Sequence, residues 1–320
     1  MKLTYLNDKT VSSLLDYKSV ADILGESFAD LAAGNAAIHA RQRTDSCGIR
    51  LSTMGAVWNA RQVGGVKVYP TVKEKFSFLI TLFDLESNLP IAVLDGGKIT
   101  KFRTAGLTAL IASKAAAKQV RKLALFGAGF QGRAQAHALC EIFKFEQISV
   151  VDPLGDDSWC SRLALQTGCR VNLCGAEAAV HDADIVVTAT RSLEPVFDGS
   201  WLKPGALVSA IGISAPKGRE LDDATLSRAS RIIVEWMPQS EREAGELVLW
   251  RPKNARERGK IVDLPELYRQ SIPWRGSDED IIVAKSVGVG LADVACAYLA
   301  YARYTLSPKA REASAQELAA

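Results

Sequence analysis

Residues 127–132 read Gly-Ala-Gly-Phe-Gln-Gly, a complete GxGxxG. Glycine-rich turns occur in many proteins, but here the apolar run Lys122 to Phe126 leads in and a helix-forming run from Phe130 leads out. Strand, tight turn and helix in that order open a βαβ unit. Gly127 permits the turn, Gly129 leaves the backbone open to a pyrophosphate, and Gly132 lets the helix lie against the sheet. N–H groups at the helix start, around Phe130 and Gln131, then face the anion. The feature points to a dinucleotide.

The surrounding chain alternates in the same way. Apolar runs at Lys122–Phe126, Ile148–Asp152, Arg170–Leu173, Ile185–Ala189, Ala206–Ile211 and Ile232–Glu235 are separated by helical stretches, the first being Phe130–Phe143. This is the pattern of a mostly parallel sheet covered by helices. Asp152 closes its run 20 residues past Gly132. There it either accepts hydrogen bonds from ribose hydroxyls, which favours NAD(H) and repels a 2′-phosphate, or is an ordinary strand-end aspartate before Pro153. No arginine follows it directly, and Arg162 is too far along the chain to place. Thr188-Ala189-Thr190 and Gly212-Ile213-Ser214 end later runs, so they are expected to line the same cleft. The two threonines are equally at home as plain β-branched strand residues.

Ahead of this region helix and strand are mixed. Asp16 is placed to cap a helix with Val20, Ile23, Leu24, Phe28 and Leu31 on one face and Gly34 as its stop. Strands are expected at Gly64–Tyr69, Phe76–Asp84 and Leu89–Leu94, with SNLP and Gly96-Gly97 as turns and a helix over Thr104–Lys118. The polar stretch 251–278, with Pro252, Pro265 and Pro273, promises short elements only. The chain closes with strand-like IIVAK, a turn at Ser286–Gly290, a helix from about Leu291 to Tyr304, and a tail expected to fray.

Composition narrows the classes. Hydrophobic residues make up 48% and charged residues 23%, which fits a globular chain, and 320 residues favour two domains over one. The net charge of +3 gives no reason to expect a nucleic acid or membrane partner. The N-terminus lacks a signal-peptide pattern and no run of about 18 apolar residues occurs, so a cytoplasmic protein is expected. The cysteines form no CxxC pair and the histidines lie far apart, so no metal site is expected.

Basic residues in apolar or glycine-rich surroundings are the candidates for substrate chemistry. Lys67 stands inside GGVKVYP, where a lysine is costly to bury unless paired or functional; the alternative is the wet face of an edge strand. Arg41 and Arg43 lie in the polar run HARQRTD. Arg43 suits bidentate binding of a carboxylate, or is a surface arginine. Arg103, just before Thr104 at an expected helix start, suits a phosphate or carboxylate, or caps the helix.

Taken together, GGVKVYP, VLDGGKITKFRTAGLTALIASKA, LALFGAGFQGRAQAHAL, ADIVVTATRSLEPVF, WLKPGALVSAIG, RELDD and VAKSVGVGLAD resemble the ornithine cyclodeaminase/mu-crystallin family over nearly the whole chain. The resemblance implies an α/β architecture. A Rossmann-type nucleotide-binding domain (118–284) is inserted between the two halves of an α+β substrate-binding and dimerisation domain (1–117 plus 285–320). It implies a homodimer, NADH or NADPH as cofactor, and a small α-amino or α-imino acid as substrate. The family's active-site lysine corresponds to Lys67, its carboxylate-binding arginine to Arg43, and the arginine of its RTAA motif to Arg103, beside Thr104. Its cofactor residues fall on Gly127, Gly129, Phe130, Gln131, Gly132 and Asp152, with Thr188, Ala189, Thr190, Ser214, Ser286 and Val287 completing the cleft.

One departure separates the family's reactions. Where the cyclodeaminases carry GADxPGK with a catalytic aspartate, this chain reads Gly212-Ile213-Ser214-Ala215-Pro216-Lys217-Gly218. A serine cannot serve as a carboxylate base at neutral pH. Mu-crystallin also carries serine there and reduces cyclic ketimines. The expected reaction is therefore reduction of the small cyclic imino acid Δ1-pyrroline-2-carboxylate to L-proline, with Δ1-piperideine-2-carboxylate as a second substrate. Arg43 would hold the carboxylate with help from Lys67, and Lys67 would supply the proton. The alternatives are an ornithine cyclodeaminase, an alanine dehydrogenase and a non-enzymatic ligand-binding protein. A second departure lies at Lys75-Phe76-Ser77, where many members carry Ser-His.

Overall fold

A computed structural model describes residues 3–73, 75–252 and 254–307. The tail expected to fray lies mostly outside the described residues. The chain forms two compact units, Met1–Arg103 with Val289–Ala320 and, between them in sequence, Thr104–Gly288.

Unit 1 is built on strands β1 (Thr4–Leu6), β2 (Ala36–Ser46), β3 (Ile49–Trp58), β4 (Val63–Val72), β5 (Lys75–Phe76), β6 (Leu79–Asp84) and β7 (Leu89–Asp95). Their order is β1-β7-β6-β4-β3-β2, with β5 pairing β4. Only β1 pairs in parallel; the others are antiparallel. On one face Met54, Trp58, Ile80 and Leu82 are buried, and the helices Tyr17–Ala32 and Gly290–Thr305 pack against the sheet. Asp16 caps the first of these helices by accepting the Ser19 N–H at 2.7 Å. Val20, Leu24 and Phe28 are its buried stripe.

One strand pair was not expected, and one expectation changes. The hairpin β2–β3 was hidden because β2 is a polar edge strand, whose pairing shows only weakly as alternation. The Gly96-Gly97 pair is not a turn but the start of the helix Gly96–Ala115. Both glycines are sites of close approach: a Cβ on Gly96 would lie 2.6 Å from the Phe78 side chain, and one on Gly97 2.6 Å from the Asp8 carboxylate. Asp8 in turn accepts the Lys98 N–H at 2.7 Å, so the helix start is capped from a distant segment. Arg103 and Thr104 therefore sit two turns inside the helix rather than at its beginning.

Unit 2 carries β8 (Lys122–Phe126), β9 (Gln147–Val151), β10 (Arg170–Leu173), β11 (Ile185–Thr188), β12 (Leu207–Ala210), β13 (Arg231–Val234), β14 (Ile261–Asp263) and β15 (Ile282–Lys285). All pair in parallel in the order β10-β9-β8-β11-β12-β15-β13-β14. The first five follow the doubly wound Rossmann order. The closing strand IIVAK is inserted between β12 and β13, and Phe126, Val186, Val208, Ile232 and Val283 share one buried core. Among the described residues no helix is long and apolar enough to cross a membrane.

The helix Phe130–Cys140 lies so close to β8 that a Cβ on Gly132 would fall 1.7 Å from the Gly127 carbonyl oxygen. Because the obstacle is backbone, helix and strand must separate to admit a methyl group. Gly132→Ala is expected to cost about 1–3 kcal/mol of stability. Chemical denaturation reads this directly, and an unchanged midpoint would contradict the packing described.

Candidate functional site

In unit 2 the strand order reverses between β8 and β11, the position at which open parallel sheets bind ligands. Gly127 follows β8 with φ of 87°, and a Cβ there would lie 2.7 Å from the Ala189 carbonyl oxygen, so only glycine fits between the two loops. A Cβ on Gly129 would meet nothing within 4 Å, leaving that stretch of backbone open. The helix beginning at Phe130 has no side-chain cap, and Gln131 Oε1 is buried without a hydrogen-bond partner among the described residues. An open glycine turn and an uncapped helix start fit the pyrophosphate of a dinucleotide, and the spare buried acceptor suits a donor such as a ribose hydroxyl.

Several of the other residues expected at this end are held by carboxylates. Asp152 Oδ2 accepts the Ala128 N–H at 2.6 Å and Oδ1 the Leu154 N–H at 2.9 Å, so it braces the glycine turn with lone pairs to spare. Thr188 is fully buried and donates its hydroxyl to Glu220 Oε2 at 2.9 Å. Thr190 gives both its N–H and its hydroxyl to Glu220 Oε1 at 2.7 Å, and Gly212 gives its N–H to Oε2 at 2.7 Å. Ala189 donates its N–H to the Phe126 carbonyl at 2.8 Å. The hydroxyl of Ser286 and the N–H groups of Val287 and Gly288 all donate to Glu235, at 3.1, 2.7 and 2.6 Å. Ser214 is exposed in the loop after β12. Glu220 and Glu235, both buried, thus shape the loops that follow β11, β12 and β15. Neither stood out in the sequence, although Glu235 ends an apolar strand and Glu220 lies in RELDD.

In unit 1 Lys67 and Arg103 do come together, around a residue not anticipated from the sequence. Lys67 Nζ donates to Thr100 Oγ1 at 2.6 Å and to Asp293 Oδ1 at 3.0 Å. Arg103 Nε meets the same Asp293 oxygen at 3.3 Å. Lys67 is 2%, Asp293 0% and Arg103 7% exposed. Asp293 lies in the first turn of the helix Gly290–Thr305, where an acid reads as an ordinary helix-start residue. The Phe78 ring lies 4.2 Å from Lys67 Nζ and packs edge-on against Tyr69, forming an aromatic wall beside the lysine.

Electrostatics follow from this burial. Desolvation brings the Lys67 pKa down to about 8; Asp293 opposes the fall, and Arg103 and Arg41 add to it. Burial alone would raise the Asp293 carboxyl, but Lys67, Arg103 and Arg41 outweigh it, and it stays below the usual carboxylate range.

Arg43 and Arg41 are placed differently. Arg43 pairs with Ser52, which pairs with Tyr69, so it stands on the Lys67 face of the sheet but one row away, and it is exposed. The register shifts between His39 and Gln42, which puts Arg41 in a bulge opposite Met54, the partner of Lys67. Arg41 is half-buried, and its charge acts on both Lys67 and Asp293.

A family model described as "Ornithine cyclodeaminase/mu-crystallin family" matches residues 3–307. The crystal structure of a "probable ornithine cyclodeaminase" from Bordetella pertussis Tohama I superposes with a TM-score of 0.91 at 40% identity, covering 95% of this chain and 97% of that one. The ketimine reductase mu-crystallin of Mus musculus is 29% identical over 69% of this chain and 68% of its own. A Δ1-pyrroline-2-carboxylate reductase of Bacillus cereus is 25% identical over 78% of this chain and 79% of its own.

Asp293→Asn leaves two buried cations without their shared counter-charge and is expected to cost about 3–5 kcal/mol. Asp22→Asn, which breaks the exposed pair with Lys18, is the control and should cost less than about 1 kcal/mol. Urea melts compare the two; equal midpoints would mean that the buried cluster is not what holds unit 1 together.

Proposed function

The chain belongs to the ornithine cyclodeaminase/mu-crystallin family, and from that premise we propose that it is an NAD(P)H-dependent ketimine reductase. It reduces Δ1-pyrroline-2-carboxylate to L-proline and, as a second substrate, Δ1-piperideine-2-carboxylate to L-pipecolate. The observation that carries this reading is the buried cluster in which Lys67 and Arg103 share the single carboxylate of Asp293, with the charge of Arg41 acting on it as well. An excess of cations is suited to an anionic substrate, and a lysine whose proton is loosened by burial is suited to proton transfer. The two named reductases among the relatives support the same class of reaction.

Reduction adds a hydride to C2 of the ring and a proton to its nitrogen. The hydride would come from a reduced nicotinamide cofactor when one is bound. Gly127, Gly129, Phe130, Gln131, Gly132 and Asp152 would hold that cofactor, on loops fixed by Glu220 and Glu235. Arg41, rather than the exposed Arg43, grips the substrate carboxylate, with Arg103 adding to the positive field. Lys67, aimed by Thr100 and Asp293, gives its proton to the imine nitrogen. Asp293 Oδ2, buried without a hydrogen-bond partner among the described residues, is a spare acceptor for the resulting N–H. Phe78 and Tyr69 pack against the ring methylenes, a contact that separates five- from six-membered rings by only about 1–3 kcal/mol. The name of the Bordetella relative favours a cyclodeaminase, but Ser214 stands where that reaction needs a carboxylate base.

The protein works as a cytoplasmic homodimer. Ile49, Leu51, Val57, Val72, Leu79 and Phe83 lie on one face of the unit 1 sheet, opposite its packed helices, and are exposed. A second copy would bury this face by self-complementary packing. Phe83→Glu should convert dimers to monomers by light scattering; a monomeric unmodified protein would remove the proposal.

The activity test is loss of reduced-cofactor absorbance with Δ1-pyrroline-2-carboxylate, expected to be saturable. Lys67 is protonated below a pH of about 8, so kcat/KM should fall above that value, by about tenfold per unit. Lys67→Ala should abolish this limb together with at least about 99% of kcat. Arg41→Ala should raise KM by about tenfold or more and Arg43→Ala much less. No turnover with either cofactor would return the protein to the ligand-binding reading.

A further inference from the structure

Beside the glycine turn stands an ion pair for which the dinucleotide reading so far has no use. Arg133, one residue past Gly132, donates its Nε–H to the Ala128 carbonyl at 2.7 Å. Its Nη2 reaches Asp156 Oδ2 at 2.6 Å, and the guanidinium lies 5.0 Å from the centre of the Trp159 ring. The N–H of the same Ala128 goes to Asp152. Asp152 and Arg133 therefore grip one residue of the turn from its two sides, which puts the guanidinium beside the strand end where a Rossmann sheet receives the adenosine ribose.

Asp156 holds this arginine firmly. Its Oδ1 accepts the Ser158 hydroxyl at 2.7 Å and the Trp159 N–H at 2.9 Å, capping the helix Asp157–Thr167, which leaves Oδ2 for Arg133. The Ser158 hydroxyl, the Trp159 N–H and Arg133 together keep the carboxyl well below the usual carboxylate range. Both side chains are about a third exposed, at 36% for Arg133 and 31% for Asp156, so a ligand can reach them. In a sequence, the arginine that welcomes a 2′-phosphate is sought after the second strand. Arg162, the one found there, donates to Ser158 instead. The arginine at this corner comes from upstream, and it is already paired.

We propose that Asp156 is a second determinant of coenzyme choice: by keeping Arg133 in a neutral pair it denies a 2′-phosphate its cation, so that the chain takes NADH in preference to NADPH. A 2′-phosphate would face two carboxylates, Asp152 and Asp156, and one guanidinium already neutralised. The ribose hydroxyls of NADH would need only the lone pairs that Asp152 retains. Releasing Arg133 would offer the phosphate a charge-assisted donor that a hydroxyl uses far less.

This inference rests on the dinucleotide reading of unit 2, and direct binding separates the two. NADH and NADPH are titrated against the protein by nicotinamide fluorescence. The unmodified chain should bind NADH more tightly. Asp156→Ser, which keeps a helix cap but cannot hold an arginine, should tighten NADPH by about tenfold while leaving NADH within a few-fold. Adding Arg133→Met should erase that gain. Should Asp156→Ser fail to fold, as judged by its melting curve, Asp156→Asn replaces it. Equal affinities in the unmodified protein, an unchanged ratio in the Asp156 variant, or a gain that survives loss of Arg133 would each overturn the proposal. Binding of neither nucleotide would overturn the dinucleotide reading beneath it.

Discussion

Unit 1 depends on one buried carboxylate. Lys67 on β4 and Arg103 on the helix Gly96–Ala115 can be interior residues only because Asp293 lies between them. Without a counter-charge each cation would cost several kcal/mol to desolvate. The pairing is also incomplete in a useful sense, since two buried cations share one acid. Stability asks for the carboxylate, and the proposed chemistry asks for the remaining positive charge. The same residues answer to both demands, so the cluster cannot be optimised for stability alone.

Unit 2 solves a related problem with backbone rather than with cations. Its loops must leave the carboxyl ends of β11, β12 and β15 in fixed shapes without regular pairing, and their N–H groups need partners. Glu220 and Glu235 supply them, the first accepting from Thr188, Thr190 and Gly212 and the second from the consecutive residues Ser286, Val287 and Gly288. Thr188 and Thr190 belong to that framework. Their hydroxyls donate to Glu220 and so help to fix the loop.

The sheet of unit 2 was largely legible in the sequence. Lys122–Phe126 and Arg170–Leu173 coincide with β8 and β10, because buried parallel strands are short apolar runs bounded by polar turns. The place of β15 was not legible, since strand order is decided by contacts between segments distant in the chain. In unit 1 the polar edge strand β2 and the glycines that begin a helix were misleading for local reasons: pairing at an edge leaves little hydrophobic pattern, and close approach favours glycine as strongly as a turn does. Lys67 and Arg103 were visible as cations in unlikely surroundings. Asp293 was not, because nothing in its own neighbourhood distinguishes a buried counter-ion from a helix-start acid. The bulge that separates Arg41 from Arg43 likewise appears only in the pairing register.

Lys67 and Asp293 lie 226 residues apart, with all of unit 2 between them. A chain made from its N-terminus therefore exposes β4, with its lysine, long before the helix carrying the counter-ion exists. Unit 2 must wait as well, because β15 enters the middle of its sheet rather than its edge. Until then, the sheet lacks a strand between β12 and β13, and that gap exposes unpaired edges of the kind that recruit strands from other chains. Both units are thus completed by residues beyond 280, and synthesis of the last eighth of the chain is the step that fills one sheet and covers the other.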